Sequence, residues 1–121
     1  MLFEVERTSV SGRPGLTVRG ELDLATAPQL TQAVDGILDA GPSGLIVDLS
    51  PTTFLDSSGA RELMRISRKA AAAGVVLHVV APRSNHAVRL TVDLLDLGAL
   101  VPIVTSMAEI PTDIVGRDAR T

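Results

Sequence analysis

Four consecutive residues, Asp56-Ser57-Ser58-Gly59, are where this chain could do chemistry. A carboxylate and two hydroxyls stand before a helical pattern in which Ala60, Leu63, Met64, Ser67, Ala70 and Ala71 fall on one side. Asp and Ser cap helix starts, because their oxygens accept bonds from the first open N–H groups. A helix start also carries partial positive charge, so it tolerates an anion. A serine there can take a phosphate without unfolding the helix beneath it. The plain alternative is a helix cap and nothing more.

Such a turn needs a rigid element to deliver it. Leu45, Ile46, Val47 and Leu49 form a short apolar run interrupted by Asp48, which predicts a strand buried on both faces. Ser50 to Thr53 is then a connector, and Phe54 and Leu55 are apolar again. Before this run, Phe3 to Glu6 and Leu16 to Arg19 alternate apolar and polar, so a hairpin is expected with its turn in Ser9 to Pro14. Gly20-Glu21-Leu22-Asp23 leaves the second strand. Thr26 and Pro28 open a helix whose Leu30, Ala33, Val34, Ile37 and Leu38 share one face, and Gly41-Pro42 ends it. Val75 to Val80 predicts a second buried strand. Ser84 or Asn85 starts a third helix with Ala87, Leu90, Leu94 and Leu97 on its apolar stripe. Val101 to Val104 is a short strand, placed at an edge by Pro102. Pro111 limits the segment after Thr105 or Ser106 to about one helical turn before it, or a broken helix across it, and 113–121 is expected to fray. Strands alternating with helices predict an α/β fold with mostly parallel pairing, made mixed by the hairpin.

The 121 residues fit one domain, 1–121. With 45% hydrophobic and 21% charged residues the composition is globular, and with only Phe3 and Phe54 as aromatics the core is aliphatic. A net charge of −3 and the scarcity of stacking rings argue against nucleic acid as a partner. Without cysteine there is no disulfide or thiolate metal site. His78 and His86, the only histidines, do not make a metal site with the carboxylates at hand. No G-x-S-x-G elbow is present, and Ser11-Gly12-Arg13-Pro14-Gly15 lacks the Walker lysine, so neither hydrolase nor phosphate-loop chemistry is expected. The N-terminus lacks the features of a secretory signal, and the stretch Ala70 to Pro82 is too short for a bilayer. A cytoplasmic, non-enzymatic protein without cofactor or membrane contact is the expectation.

Asp48-Leu-Ser-Pro-Thr-Thr-Phe-Leu-Asp-Ser-Ser-Gly59 resembles the signature of the STAS-domain family of bacterial anti-sigma factor antagonists. Gly20-Glu21-Leu22-Asp23 resembles a second element of that family, and the resemblance runs from about residue 3 to residue 105. It implies a STAS-like α/β fold, a mixed sheet of four to five strands with helices mainly on one face. It also implies a protein switch that binds an anti-sigma factor, itself an ATP-dependent serine kinase, and so releases a sigma factor. The serine after the Asp, here Ser57, would be the phosphorylation site; a serine phosphatase would restore binding. Glu21 and Asp23 would lie on the partner-contact loop, or form only a solvated turn. Asp56 would present Ser57, cap the helix, or both. Ser58 and Gly59 would complete the contact surface, and the sequence alone does not separate Ser58 from Ser57 as phosphosite. An alternative from the same fold is a STAS subunit of a larger assembly, such as a lipid-transport ABC complex or a stressosome scaffold.

The chain departs from the family pattern where Leu-Gly usually follows the motif: here Ala60-Arg61 stands. Arg61 thus adds a cation beside the docking surface, four residues after Ser57, the spacing at which helix side chains meet. At the end of the third helix Leu95-Asp96-Leu97 replaces the usual Thr-Gly-Leu.

Overall fold

The computed structural model describes residues 2–111. Its elements run β1 (Glu4–Val10), β2 (Arg13–Leu22), α1 (Ala27–Asp39), β3 (Gly44–Asp48), β4 (Thr52–Leu55), α2 (Ser57–Ala72), β5 (Val76–Val80), α3 (His86–Leu94) and β6 (Ile103–Val104). The hairpin turn is tighter than expected. Val10 pairs with Arg13, so only Ser11 and Gly12 turn the chain, and both have positive φ. That backbone matches the twist of the two strands it joins.

The sheet order is β1-β2-β3-β5-β6, with β4 paired to β2 off this path. Only the β1–β2 pair is antiparallel. The mixed α/β architecture is as expected, but among the described residues the strands number six. The additional one is β4, half of which was expected to be a connector. β2 is ten residues long, and β3 occupies only Gly15–Thr17 of it. The remainder, Gly20–Leu22, is open to a second parallel partner, and Thr52–Leu55 takes it. Pro102 does sit by an edge strand, β6.

Alternation divides the sheet into two faces. Leu45, Val47, Leu77 and Val79 pack with Leu30, Val34 and Ile37 of α1 and with Ala60, Leu63, Ile66 and Ala70 of α2. Ile66 takes the central place in α2, whereas Met64 and Ser67 are half-buried and Ala71 is exposed. The opposite face, at Ile46 and Val80, is covered by Ile110 and Met107, the latter in a 3₁₀ turn at Met107–Glu109. That single turn ahead of Pro111 agrees with the sequence, and 113–121 lies outside the described residues.

In α3 the inward face differs from expectation. Val88 and Val92 are buried, while Leu90 is 62% and Leu94 74% exposed. The helix carries two apolar stripes, and polar contacts select between them. The Thr91 hydroxyl donates to the Leu55 carbonyl at 2.6 Å. The Asn85 amide reaches the carbonyls of Leu49, Ser50 and Thr52 at 3.1, 3.3 and 2.7 Å. These bonds dock α3 along β4 with the valine stripe inward.

Candidate functional site

The first turn of α2 accounts for its own donors. A helix start has four N–H groups without intrahelical partners. Asp56, the cap residue, accepts the Gly59 N–H on Oδ1 at 2.8 Å, and its own N–H donates to the Leu22 carbonyl at 3.4 Å. The regular ladder begins with the Ala60 N–H on the Asp56 carbonyl, at 2.9 Å. Among the described residues no hydrogen bond engages the N–H groups of Ser57 and Ser58, which a helix start leaves without intrahelical partners. The Ser57 side chain is exposed; that of Ser58 is half-buried. Asp56 is therefore a cap in fact, and Ser57 is the more accessible hydroxyl.

Gly59 is dictated by its neighbour. A Cβ there would lie 2.4 Å from the Leu22 carbonyl oxygen and 2.8 Å from Leu55 Cδ1. Only glycine lets the end of β2 approach the first turn of α2 this closely. The same approach joins the two motifs. Glu21 pairs with Phe54 and Leu22 with Leu55, so the Gly20–Asp23 segment ends beside the Asp56–Gly59 turn. The register shifts between Gly20 and Glu21, and Gly20 has φ +97. This bulge redirects the end of β2.

Beyond β2 the loop holds itself together. Asp23 Oδ1 accepts the N–H groups of Ala25 and Thr26 at 3.0 and 3.1 Å. The Thr26 hydroxyl accepts the Asp23 N–H at 2.9 Å and donates to the Glu21 carbonyl at 2.7 Å. Thr26 occupies the expected cap position of α1 but makes no side-chain cap bond; its hydroxyl serves the loop. Glu21 is exposed, Asp23 is half-buried, and Leu24 at the loop tip is 75% exposed.

A model of the STAS domain matches residues 7–110. The chain belongs to the STAS-domain family. It is similar to the anti-sigma-F factor antagonist RsfB of Mycobacterium tuberculosis, 39% identical over 54 residues. That match spans 45% of this chain and 44% of RsfB, less than half the length of either. Among solved structures it resembles an anti-sigma factor antagonist from Mycobacterium paratuberculosis, with TM-score 0.73, 27% identity and coverage of 89% and 90% of the two chains. It shares its fold with the anti-sigma factor antagonist SpoIIAA in its unphosphorylated form, with TM-score 0.63, 16% identity and coverage of 99% and 100%. The expectation of a STAS domain agrees with the family match.

Arg61 of this STAS domain is exposed and lines a groove of about 440 Å³ between α1 and α2, together with Ser58 but not Ser57. Deeper in the groove Glu62 is only 7% exposed. It accepts the Thr31 hydroxyl and a 3.4 Å bond from Arg65. Sequence reasoning missed Glu62, Thr31, Thr91 and the reach of Asn85. The one available signal was a charged residue between Ala60 and Leu63 on the helix's inner stripe.

Two displaced pKa values lie away from this turn. Burial, aided by the nearby Arg13 guanidinium, lowers that of His78 on the opposite sheet face. Bonds from the Thr105 side chain and backbone lower that of Glu109. Among the described residues no group of His, Cys, Asp and Glu could hold a metal, and no helix is long and apolar enough to cross a membrane.

Proposed function

We propose that this STAS domain is an anti-sigma factor antagonist working as a phosphoswitch in the cytoplasm. It binds a kinase-type anti-sigma factor through Glu21 at the end of β2, Asp23 of the β2–α1 loop, the cap residue Asp56, and Ser57, Ser58, Gly59 and Arg61 of α2. Binding releases a sigma factor. The kinase then transfers the γ-phosphoryl group of ATP to the Ser57 hydroxyl, leaving ADP, and a serine phosphatase hydrolyses the phosphoester.

The observation that carries the reading is Ser57 itself: an exposed hydroxyl at the first position of a long helix, where the first N–H groups lack intrahelical partners. A phosphate there gains favourable charge from the helix and adds up to two negative charges to the contact surface. The similarity to proteins named as anti-sigma factor antagonists supports an anti-sigma factor as the partner class.

The test is incubation of the purified protein with the serine-kinase anti-sigma factor encoded in the same genome and with labelled ATP. Ser57 should carry the label, and Ser57→Ala should lose it while still binding. A label mapped to Ser58, or an unlabelled wild type, would refute the assignment.

A further inference from the structure

The α1–α2 groove adjoins the phosphoswitch turn, and its lining is unlike the rest of the molecule. The chain as a whole is acidic, with a formal net charge of −3. Helix α2 nonetheless carries Arg61, Arg65, Arg68 and Lys69, and its one acid, Glu62, is buried. Among the described residues two of these cations are paired, and of the two that are not, Arg68 lies outside the groove. Lys69 pairs with Asp35 of α1 at 2.8 Å, and Arg65 pairs with Glu62 at 3.4 Å. Arg61, at the mouth nearest Ser58, has no ion-pair or hydrogen-bond partner among the described residues. Facing it across the groove are Leu24, Ala27 and Pro28, an apolar wall with an exposed leucine at its rim.

We infer that this groove docks an acidic, leucine-like segment of the protein partner: an aliphatic side chain against Leu24 and Pro28, and a carboxylate on Arg61. The chemistry is complementary on both counts. The wall offers apolar area that loses its water on contact. The guanidinium offers a fork of donors matched to a carboxylate. Unlike Arg65, it has no intramolecular pair to break first. The inference rests on the phosphoswitch reading for the partner's identity, and it deepens that reading. A phosphate on Ser57 puts up to two negative charges one residue from Ser58 at the groove mouth. It would repel the incoming carboxylate and compete with it for Arg61, so modification and docking exclude each other.

Two measurements test this. In the first, amide resonances are followed on adding acetyl-Asp-Leu-Leu-Glu-amide, with acetyl-Lys-Leu-Leu-Lys-amide as the control probe. The acidic peptide should move the signals of Leu24, Ala27, Ser58, Arg61 and Arg65, and Arg61→Glu should abolish the movement. No movement, or equal movement with the basic peptide, overturns the proposal. In the second, affinity for the anti-sigma factor is measured at low and high salt. Arg61→Glu should weaken binding by about tenfold or more and flatten its salt dependence. Arg68→Glu, a reversal on the same helix outside the groove, should not. Equal losses from both would mean diffuse attraction and overturn the groove. Failure of the kinase to bind or label the wild type would sink the phosphoswitch reading instead; the peptide titration decides the groove without it.

Discussion

Single atoms decide two outcomes. The first is at Gly59, where an added Cβ meets a backbone oxygen that cannot rotate away. Gly59→Ala should therefore destabilise the domain by about 1–3 kcal/mol, the usual cost of overpacking. Gly36, in the interior of α1, has nothing within 4 Å of the same atom. Gly36→Ala should stabilise by about 0.5–1 kcal/mol through helix propensity. Urea titration of the pair checks both signs, and equal effects would remove the close approach of β2 as the reason for the glycine. The second is at His78, whose Nδ1 is buried without a hydrogen-bond partner among the described residues and whose imidazolium is disfavoured by burial and by Arg13. Its folded pKa lies below its unfolded one, so the unfolded chain binds the proton more readily. Stability from this site is complete above about pH 6.5 and falls as pH drops through the lower folded value. Melting temperature should thus decline from pH 7.5 to 5, and His78→Gln should show a shallower decline. Parallel curves would clear His78 of the effect.

Among the elements, α3 carries the clearest lesson about what could be read in advance. Its start was legible as Ser84 or Asn85, because such residues before an apolar run signal a cap, and it is the Asn85 side chain that accepts the Val88 N–H, at 3.3 Å. Its inner face was not, because two stripes of aliphatic residues fit the same period. The choice is made by Thr91 and Asn85 bonding to β4, contacts more than 30 residues apart in sequence. β4 was half hidden for a related reason: its pairing depends on how much of β2 the neighbouring strand leaves open. The Asp56–Gly59 cap and the aliphatic core were carried by local chemistry and were readable; that Gly20–Asp23 ends beside the cap was not, since it follows from the β2–β4 pairing. The buried Glu62–Thr31 contact was not, since it forms only when α1 meets α2. The face assignment in α3 is testable. Val88→Ala should cost about 1.5–3 kcal/mol of stability, because the side chain is fully buried. Leu90→Ser should change stability by no more than about 0.5 kcal/mol. The reverse ranking in thermal melts would restore the leucine stripe as the inner one.

At the scale of the whole molecule, the question is whether phosphorylation would act by deforming the domain or by altering its surface. The first turn of α2 is tied to β2 through Leu22 and Gly59, and β2 is tied to β1, β3 and β4. A change that disturbed this turn would therefore reach the sheet and show as lost stability. The Ser57 side chain, however, points to solvent, and the N–H groups at its base favour an anion. Added charge on a protein of net charge −3 raises self-repulsion only slightly at physiological salt, where screening acts within about 8 Å. Arg61, four residues on, can contribute a further exposed pair of about 0–1 kcal/mol. Phosphorylated protein should then melt no lower than unphosphorylated protein, and Arg61→Ala should remove part of any gain. Four melts decide it: wild type and Arg61→Ala, each with and without phosphate on Ser57. A large drop in the phosphorylated wild type would mean that the switch loosens the fold. Equal shifts in both proteins would leave a surface mechanism standing and assign Arg61 to docking alone.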